Sequence, residues 1–404
     1  MAVRERIWVG IDVGKTTHHA CAVDETGKVV FSQRVDNGQT AIEQLIARAG
    51  KAAVEVRWAL DLTSGAAGLL VVLLLSTGQP VTYVSGQTVN RMAGAFGGEG
   101  KTDAKDARVI AQTCRMRGDL PRLSVPDQVV TDLAVLTARR ADLVNDWVRD
   151  VNRLRELLSS IFPALEKALD CTTRAALSLL TGFQTPAAIR TAGEPGLTRH
   201  LHDLGVRPGT AHSVIVKALA AAAEQTVTLP AEAVTAPLIA RLARRLLDLD
   251  REAKDLTKLI GDTFRAHPHA SIIESLPGLG PVLGAEFLVG TGGDLTAFRG
   301  PDKLAAFAGL APMPRDSGRI NGNLRKPRRY HRGLRRVFYM AALCSTLREG
   351  PSRTFYQRKR AEGKHHIQAL IALARRLVDV LWALLRDNRP FTTTSSATPA
   401  PTAT

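Results

Sequence analysis

Long apolar stretches are missing from this 404-residue chain. The longest, Leu69 to Leu75, has seven residues, against the roughly 20 a helix needs to cross a bilayer, so no membrane span is expected. The opening residues, MAVRERIWVGIDVGK, hold neither the apolar core of a secretion leader nor a small-residue cleavage site, which points to the cytoplasm. Cysteine is as scarce. Cys21, Cys114, Cys171 and Cys344 are scattered without a C-x-x-C pair, which excludes a disulfide framework or zinc ribbon and fits a reducing compartment. Acidic residues are the third shortage: 38 Asp+Glu face 54 Lys+Arg, a formal charge of +16.

The rest of the composition is ordinary. With 45% hydrophobic and 23% charged residues the chain is globular, not a disordered basic tail, and its length leaves room for two or three domains. Sixteen surplus positive charges favour a polyanionic partner, usually nucleic acid; the plainer reading is charge that only aids solubility. Position separates the two. Residues 299–389 carry 21 Lys+Arg and 6 Asp+Glu, a net +15, and solubility charge would not concentrate so.

Over the first 85 residues, short apolar runs alternate with turn signals. Strands are expected at Ile7–Ile11, Ala20–Val23, Val29–Arg34, Val54–Leu60 and Val81–Val84, with helices over Ala41–Ala49 and Gly65–Ser76. A three-strand meander followed by strand–helix–strand is the order of the ribonuclease H-like α/β fold, here assigned to residues 1–122; actin-like ATPases begin the same way. Residues 123–265 read as helical. Leu133, Leu136, Leu143, Trp147, Leu154, Leu157 and Ile161 fill a heptad seam broken only at Arg140 and Asp150, and Ile239 to Ile260 repeats it. Two long helices with a coiled-coil seam are expected, paired with each other or with another subunit, around an insertion at about 165–230 to which the sequence assigns no chemistry. Residues 266–391 read as a helical C-terminal domain, in which Leu276-Pro-Gly-Leu-Gly280 before an apolar run suggests a helix–hairpin–helix turn able to hold a phosphate. The Thr-, Ser- and Pro-rich residues 392–404 read as a disordered tail.

Two constellations carry chemistry. Asp12 closes the first strand, Asp61 follows the buried run Val54–Leu60, and Asp103 and Asp106 share one face at the start of a helix. Carboxylates converging from two strands and a helix would repel one another without cations, and Mg²⁺ is the hard divalent ion that such oxygens suit. Plainer roles exist: Asp103 and Asp106 suit a helix N-terminus, Asp61 a strand end, and Asp12-Val-Gly-Lys-Thr16 also fits an ATPase phosphate loop. The second constellation is Arg315-Asp-Ser-Gly318, with Arg319, Arg325, Lys326, Arg328, Arg329, Arg332, Arg335 and Arg336 after it. Ser317 before a glycine suits a nucleophile toward a phosphodiester whose charge the guanidiniums neutralise. From the spacing alone an ordinary loop serine among phosphate-binding arginines is the better reading.

Taken in order, Gly10-Ile-Asp-Val-Gly-Lys15, Asp61, Gly100-Lys-Thr-Asp-Ala-Lys-Asp-Ala-Arg108, Leu276–Gly280, Phe307-Ala-Gly-Leu-Ala-Pro312, Ser317-Gly318, Gly363-Lys364 and Ala374-Arg-Arg-Leu377 resemble the DEDD insertion-sequence transposases of the IS-one-ten type, from about residue 5 to 390. The resemblance implies a RuvC-like N-terminal domain, a C-terminal transposase domain, a dimer or tetramer joined partly through the coiled coil, and a non-coding bridge RNA that selects donor and target DNA. It places Asp12, Asp61, Asp103 and Asp106 at the Mg²⁺-binding DEDD positions and Ser317 as the nucleophile that becomes covalently linked to DNA. The second DEDD position, usually Glu, is Asp61 here. The expected activity is excision and insertion of an insertion sequence, in a prokaryotic cytoplasm and at the nucleoid when acting. The rival readings are a metal-dependent junction-resolving endonuclease and a non-catalytic nucleic-acid scaffold. An actin-like ATPase is the least favoured of these readings.

Overall fold

The computed structural model describes residues 4–62, 65–94, 102–120, 122–123, 127–314, 322–325 and 327–392. The chain divides into two compact units, Met1–Pro126 and Asp127–Thr404.

In the first unit, β1 (Arg4–Asp12) is buried on both faces from Ile7 to Ile11, as a central strand must be. β2 (Thr17–Val23) and β3 (Val29–Asp36) follow as antiparallel neighbours; after α1 (Gln39–Ala52), β4 (Ala53–Leu60) returns parallel to β1, and α2 (Gly68–Ser76) leads to β5 (Val81–Tyr83), parallel to β4. The sheet order is β3-β2-β1-β4-β5, that of the ribonuclease H-like fold. Ile42 and Leu45 of α1 and Leu70 and Leu74 of α2 bury one face of the sheet. α3 (Gly86–Ala93) and α4 (Asp103–Met116) cover the other through Val89, Ala107, Ile110 and Ala111. Gly10 lets α4 approach β1 closely: a Cβ there would stand 2.3 Å from both the Ala107 carbonyl oxygen and the Ala111 nitrogen.

Among the described residues the second unit is helical apart from one short antiparallel strand pair. α5 (Gln128–Ile161) and α10 (Glu232–Arg265), 34 residues each, run antiparallel, so of the two pairings open from sequence the chain makes the internal one. Both breaks in the heptad cross-link them. Arg140 donates to Thr257 Oγ1 at 3.1 Å, and buried Asp150 pairs with Arg245 at 2.8 Å and Arg153 at 3.2 Å. Between the two long helices, α6 (Pro163–Ala168), α7 (Arg174–Gly182), α8 (Pro186–Asp203) and α9 (Pro208–Glu224) build their own core with the adjoining ends of α5 and α10. The opposite ends join a third core, formed by α11 (Ala270–Ser275), α12 (Pro281–Thr291), α13 (Pro301–Phe307), α14 (Arg332–Ser345) and α16 (His366–Arg386) around Phe264, Phe287 and Phe338. α15 (Pro351–Ala361) has no buried residue. The turn between α11 and α12 takes a positive φ at Gly278, where a Cβ would meet the Ala341 carbonyl oxygen of α14 at 2.1 Å; this glycine serves helix packing. None of the described helices is long and apolar enough to cross a membrane.

Candidate active site at the acidic sheet edge

Strand register sets the first two carboxylates side by side. Ile11 pairs with Leu60 across the parallel β1–β4 ladder, so the residues that follow, Asp12 and Asp61, leave the sheet together at the carboxyl ends of neighbouring strands. The Val13 amide donates to Asp61 Oδ1 at 3.3 Å. Burial pushes the half-buried Asp61 carboxyl above the ordinary aspartate range; the amides of Val13 and Asp61 offset part of this, and the charge of Asp106 adds to it.

Asp106 and Asp103 come from the first turn of α4. Thr102 caps that helix by accepting from the Lys105 amide at 3.2 Å, and both acids complement its dipole, so their plainer structural role is real. Their side chains also reach the sheet edge electrostatically: Asp106 acts on Asp61 and Asp103 on His19. His19 stands opposite Asp12 in the β1–β2 register, with Nε2 2.8 Å from Ser32 Oγ. Burial, helped by the charge of Arg34, lowers its imidazole pKa despite Asp103.

A further residue ties the edge together. Asn37 lies just past β3, and its side-chain amide donates to the carbonyls of Lys15 and Ala66, each at 3.1 Å, while its backbone amide donates to Thr16 O at 2.9 Å. One side chain thus links the loop after Asp12 to the segment after Asp61. Nothing in the sequence marked Asn37 or His19; strand alternation could have put His19 beside Asp12, but only the fold brings Asn37 to both loops.

The donors suit a hard divalent cation in kind. They are all carboxylates, and Asp61 sits half-buried beside a second negative charge, with no Lys or Arg ion pair to Asp61 or Asp106 among the described residues. The enclosure is incomplete: among the described residues no three His, Cys, Asp or Glu side chains are grouped closely enough to hold a metal ion. The register pairs Asp12 with Asp61 at the strand ends, and Asp106 stands in electrostatic reach of Asp61.

In the second unit, β6 (Met313–Pro314) pairs antiparallel with β7 (Leu324–Arg325). Ser317, Arg315 and Arg319 fall between them and lie, like Lys326, outside the described residues. The base of the hairpin is well built. Gly309, at φ +69, packs on Tyr330, whose ring lies 2.4 Å from where a Cβ would be. Arg335 donates to the Gly309 carbonyl at 2.6 Å and stacks over Tyr330, 4.9 Å from the ring centroid. His331 accepts from the Leu334 amide at 3.0 Å to cap α14, and its ring lies 5.3 Å from that of Phe307. Arg336 pairs with Glu286. Arg335 and Arg336 are thus engaged within the protein, whereas Arg325, Arg328, Arg329 and Arg332 are exposed with no acidic partner among the described residues.

Fold and site define a class: a ribonuclease H-like α/β unit with an acidic strand edge, followed by a helical unit that is strongly basic over residues 299–389. Two family models match the chain, one described as a transposase over residues 9–163 and one as a transposase of the IS116/IS110/IS902 family over residues 270–357. It is 52% identical to an insertion element IS116 protein of Streptomyces clavuligerus, covering 96% of each chain, and 47% identical to an insertion element IS900 protein of Mycobacterium paratuberculosis, covering 97% of this chain and 99% of that one. A mini-circle putative transposase for IS117 of Streptomyces coelicolor is 28% identical over 95% of each. Among solved structures, Thermus thermophilus RuvC with a Holliday junction substrate aligns with 30% of this chain and all of its own at 16% identity, with a TM-score of 0.23. The chain belongs to the IS110/IS116/IS902 family of transposases.

Proposed function

We propose that this protein is a DNA recombinase that excises and inserts an insertion sequence, cutting and rejoining DNA through a covalent link to Ser317. The observation that carries this reading is the placement of Asp12 and Asp61 at adjacent strand ends, with Asp106 in reach, in a chain of a transposase family whose surplus charge lies around a Ser-Gly pair. The Ser317 oxygen bonds to phosphorus, its proton goes to solvent, and one phosphorus–deoxyribose oxygen bond breaks, the departing strand taking a proton. The phosphoserine ester keeps the phosphodiester energy, so a hydroxyl of a second strand displaces the serine and rejoins DNA without another energy source. Arg325, Arg328, Arg329 and Arg332 hold the phosphates and spread the negative charge of the pentavalent state. Asp12, Asp61, Asp103 and Asp106 would hold Mg²⁺, which would supply charge neutralisation at the phosphodiester.

The same reading includes a bridge RNA as guide, assembly into a dimer or tetramer, a domain division near residues 122 and 265, and action in the cytoplasm at the nucleoid. One incubation tests it: protein, the non-coding RNA flanking its element, matching DNA and Mg²⁺, scored for protein–DNA adduct and joined product. Wild type gives both, and Ser317→Ala gives no adduct. A normal adduct yield from Ser317→Ala sinks the nucleophile, and cut ends that never carry protein would make the chain a hydrolytic, junction-type endonuclease.

A further inference from the structure

The α4 helix is polar end to end in a way the acidic edge does not use. Asp103 and Asp106 occupy its first turn, Arg115 its last, and Arg117 follows it. β4 runs beside it with the same polarity: Arg57, Ala59 and Asp61 alternate with period two onto the α4 side of the sheet, where Ala59 packs in the α4 core. At the end remote from the acids is a cavity of about 210 Å³ lined by Glu55, Arg57, Thr82, Cys114, Arg117 and Arg122, among others.

The charges around this cavity do not cancel. Glu55 takes Arg57 on one carboxylate oxygen, at 2.6 Å, and Arg6 on the other. Arg117 grips Asp119 with two hydrogen bonds of 2.9 and 2.6 Å. Arg122 has no acidic partner among the described residues and is fixed through its backbone, which bridges to Thr82 at the sheet edge, with Leu123 N–H donating to Val81 O at 2.8 Å. The three guanidiniums that line the cavity, Arg57, Arg117 and Arg122, against Glu55 in its wall and Asp119 on Arg117, leave one positive charge. The floor adds no negative charge, because burial pushes the Cys114 thiol up, against the opposing effects of Thr82 and Arg57.

We propose that this cavity binds the sugar–phosphate backbone of the nucleic-acid strand whose scissile region lies at the acidic edge, so that α4 and β4 act as a ruler between an anchoring phosphate and the carboxylates. The proposal rests on the acidic edge handling a phosphodiester. Arg57 and Asp61 are four residues apart on one strand, about 13 Å, and the 14 residues of α4 span about 21 Å. With roughly 3.4 Å of rise per nucleotide, the anchor falls four to six nucleotides from the acids. Guanidinium pairs suit phosphate oxygens, and a cavity of this size admits one backbone phosphate with its sugar, not a base pair.

The test is binding of labelled DNA and RNA strands and duplexes in EDTA, from about 50 to 300 mM salt, so that neither metal nor Ser317 enters. For the double variant Arg117→Ala/Arg122→Ala, affinity should fall about tenfold for the strand type that the cavity serves. The slope of log K against log salt should flatten by about 1.4 to 1.8, two phosphate contacts' worth. Arg117→Lys/Arg122→Lys should keep the slope, and phosphate-ethylation interference in wild type should mark a phosphate four to six nucleotides from the cut that the alanine variant no longer senses. An alanine variant with wild-type unfolding temperature, affinity and slope overturns the ruler. If wild type binds but never cuts in Mg²⁺, the acidic-edge reading falls instead, while the slope still decides the cavity.

Discussion

The two candidate half-sites are built on opposite principles. At the acidic edge, regular structure places every side chain: β1–β4 register sets Asp12 beside Asp61, a glycine-wide gap at Gly10 seats α4, and Asn37 ties both loops. In the basic segment the groups free to bind stand on a two-residue strand, an irregular connection and the first turn of α14, while Gly309, Tyr330, His331 and Arg335 brace the base from below. The difference follows from what each must hold. A divalent ion demands oxygens placed to tenths of an ångström, and aspartates are too short to correct a misplaced backbone. Phosphates are drawn by charge over several ångströms, and an arginine reaches them from a loosely fixed backbone. Damage to the first half-site should therefore appear in turnover, and damage to the second in affinity.

The largest separation should come from Asp12→Asn. It removes one negative oxygen donor at the strand end, so joined product should fall by more than about 10³-fold with affinity for DNA within about threefold. A comparable loss of binding in that variant, measured by titration in EDTA, would erase the division between the half-sites. Gly10→Ala attacks the same edge through packing. The new methyl would meet two backbone atoms of α4 at 2.3 Å, and backbone cannot rotate away, so unfolding stability should drop by about 3 kcal/mol and turnover should fall at temperatures where the protein is still folded. An unaltered melting curve for Gly10→Ala would mean that α4 is not held by this contact.

The sheet was legible because its signals are local. Ile7–Ile11 and Val54–Leu60 are short, continuously apolar and bounded by turns, and each ends in an acid. The long helices were equally legible from their heptads, although choosing between an internal partner and another subunit needed the fold. Non-local contacts stayed hidden. Asn37 acts on Lys15 and Ala66 from a turn with no pattern of its own, and Arg335 and Arg336 look like their basic neighbours until Gly309 and Glu286 are seen to occupy them. Composition counts arginines; it does not say which are already engaged.

That division among arginines predicts a smaller effect. Arg328→Ala/Arg329→Ala removes two exposed guanidiniums without acidic partners among the described residues, so affinity should fall about tenfold and the salt slope by about 1.8 on duplex DNA, with turnover at saturating DNA within about twofold. A change in saturated turnover larger than the change in affinity would show that these arginines act in the chemical step, and the contrast with the acidic edge would lose its basis.

The smallest effect sharpens the contrast most. At the acidic edge a shortfall of one methylene matters, because position is everything there; in the basic segment it would be absorbed by a long side chain. Asp61 is held at its own strand by the Val13 amide at 3.3 Å, and no three metal-binding side chains are grouped among the described residues. Asp61→Glu extends the carboxylate by about one bond, roughly 1.5 Å, toward the space shared with Asp12 and Asp106, at the cost of the Val13 hydrogen bond. If reach limits the site, the Mg²⁺ concentration for half-maximal turnover should fall about two- to fivefold with DNA affinity in EDTA unchanged. A half-saturation that stays put or rises would mean that the backbone already places Asp61 where the ion needs it, and the incomplete enclosure would then have to be closed from α4, by Asp103 and Asp106, not from the strand.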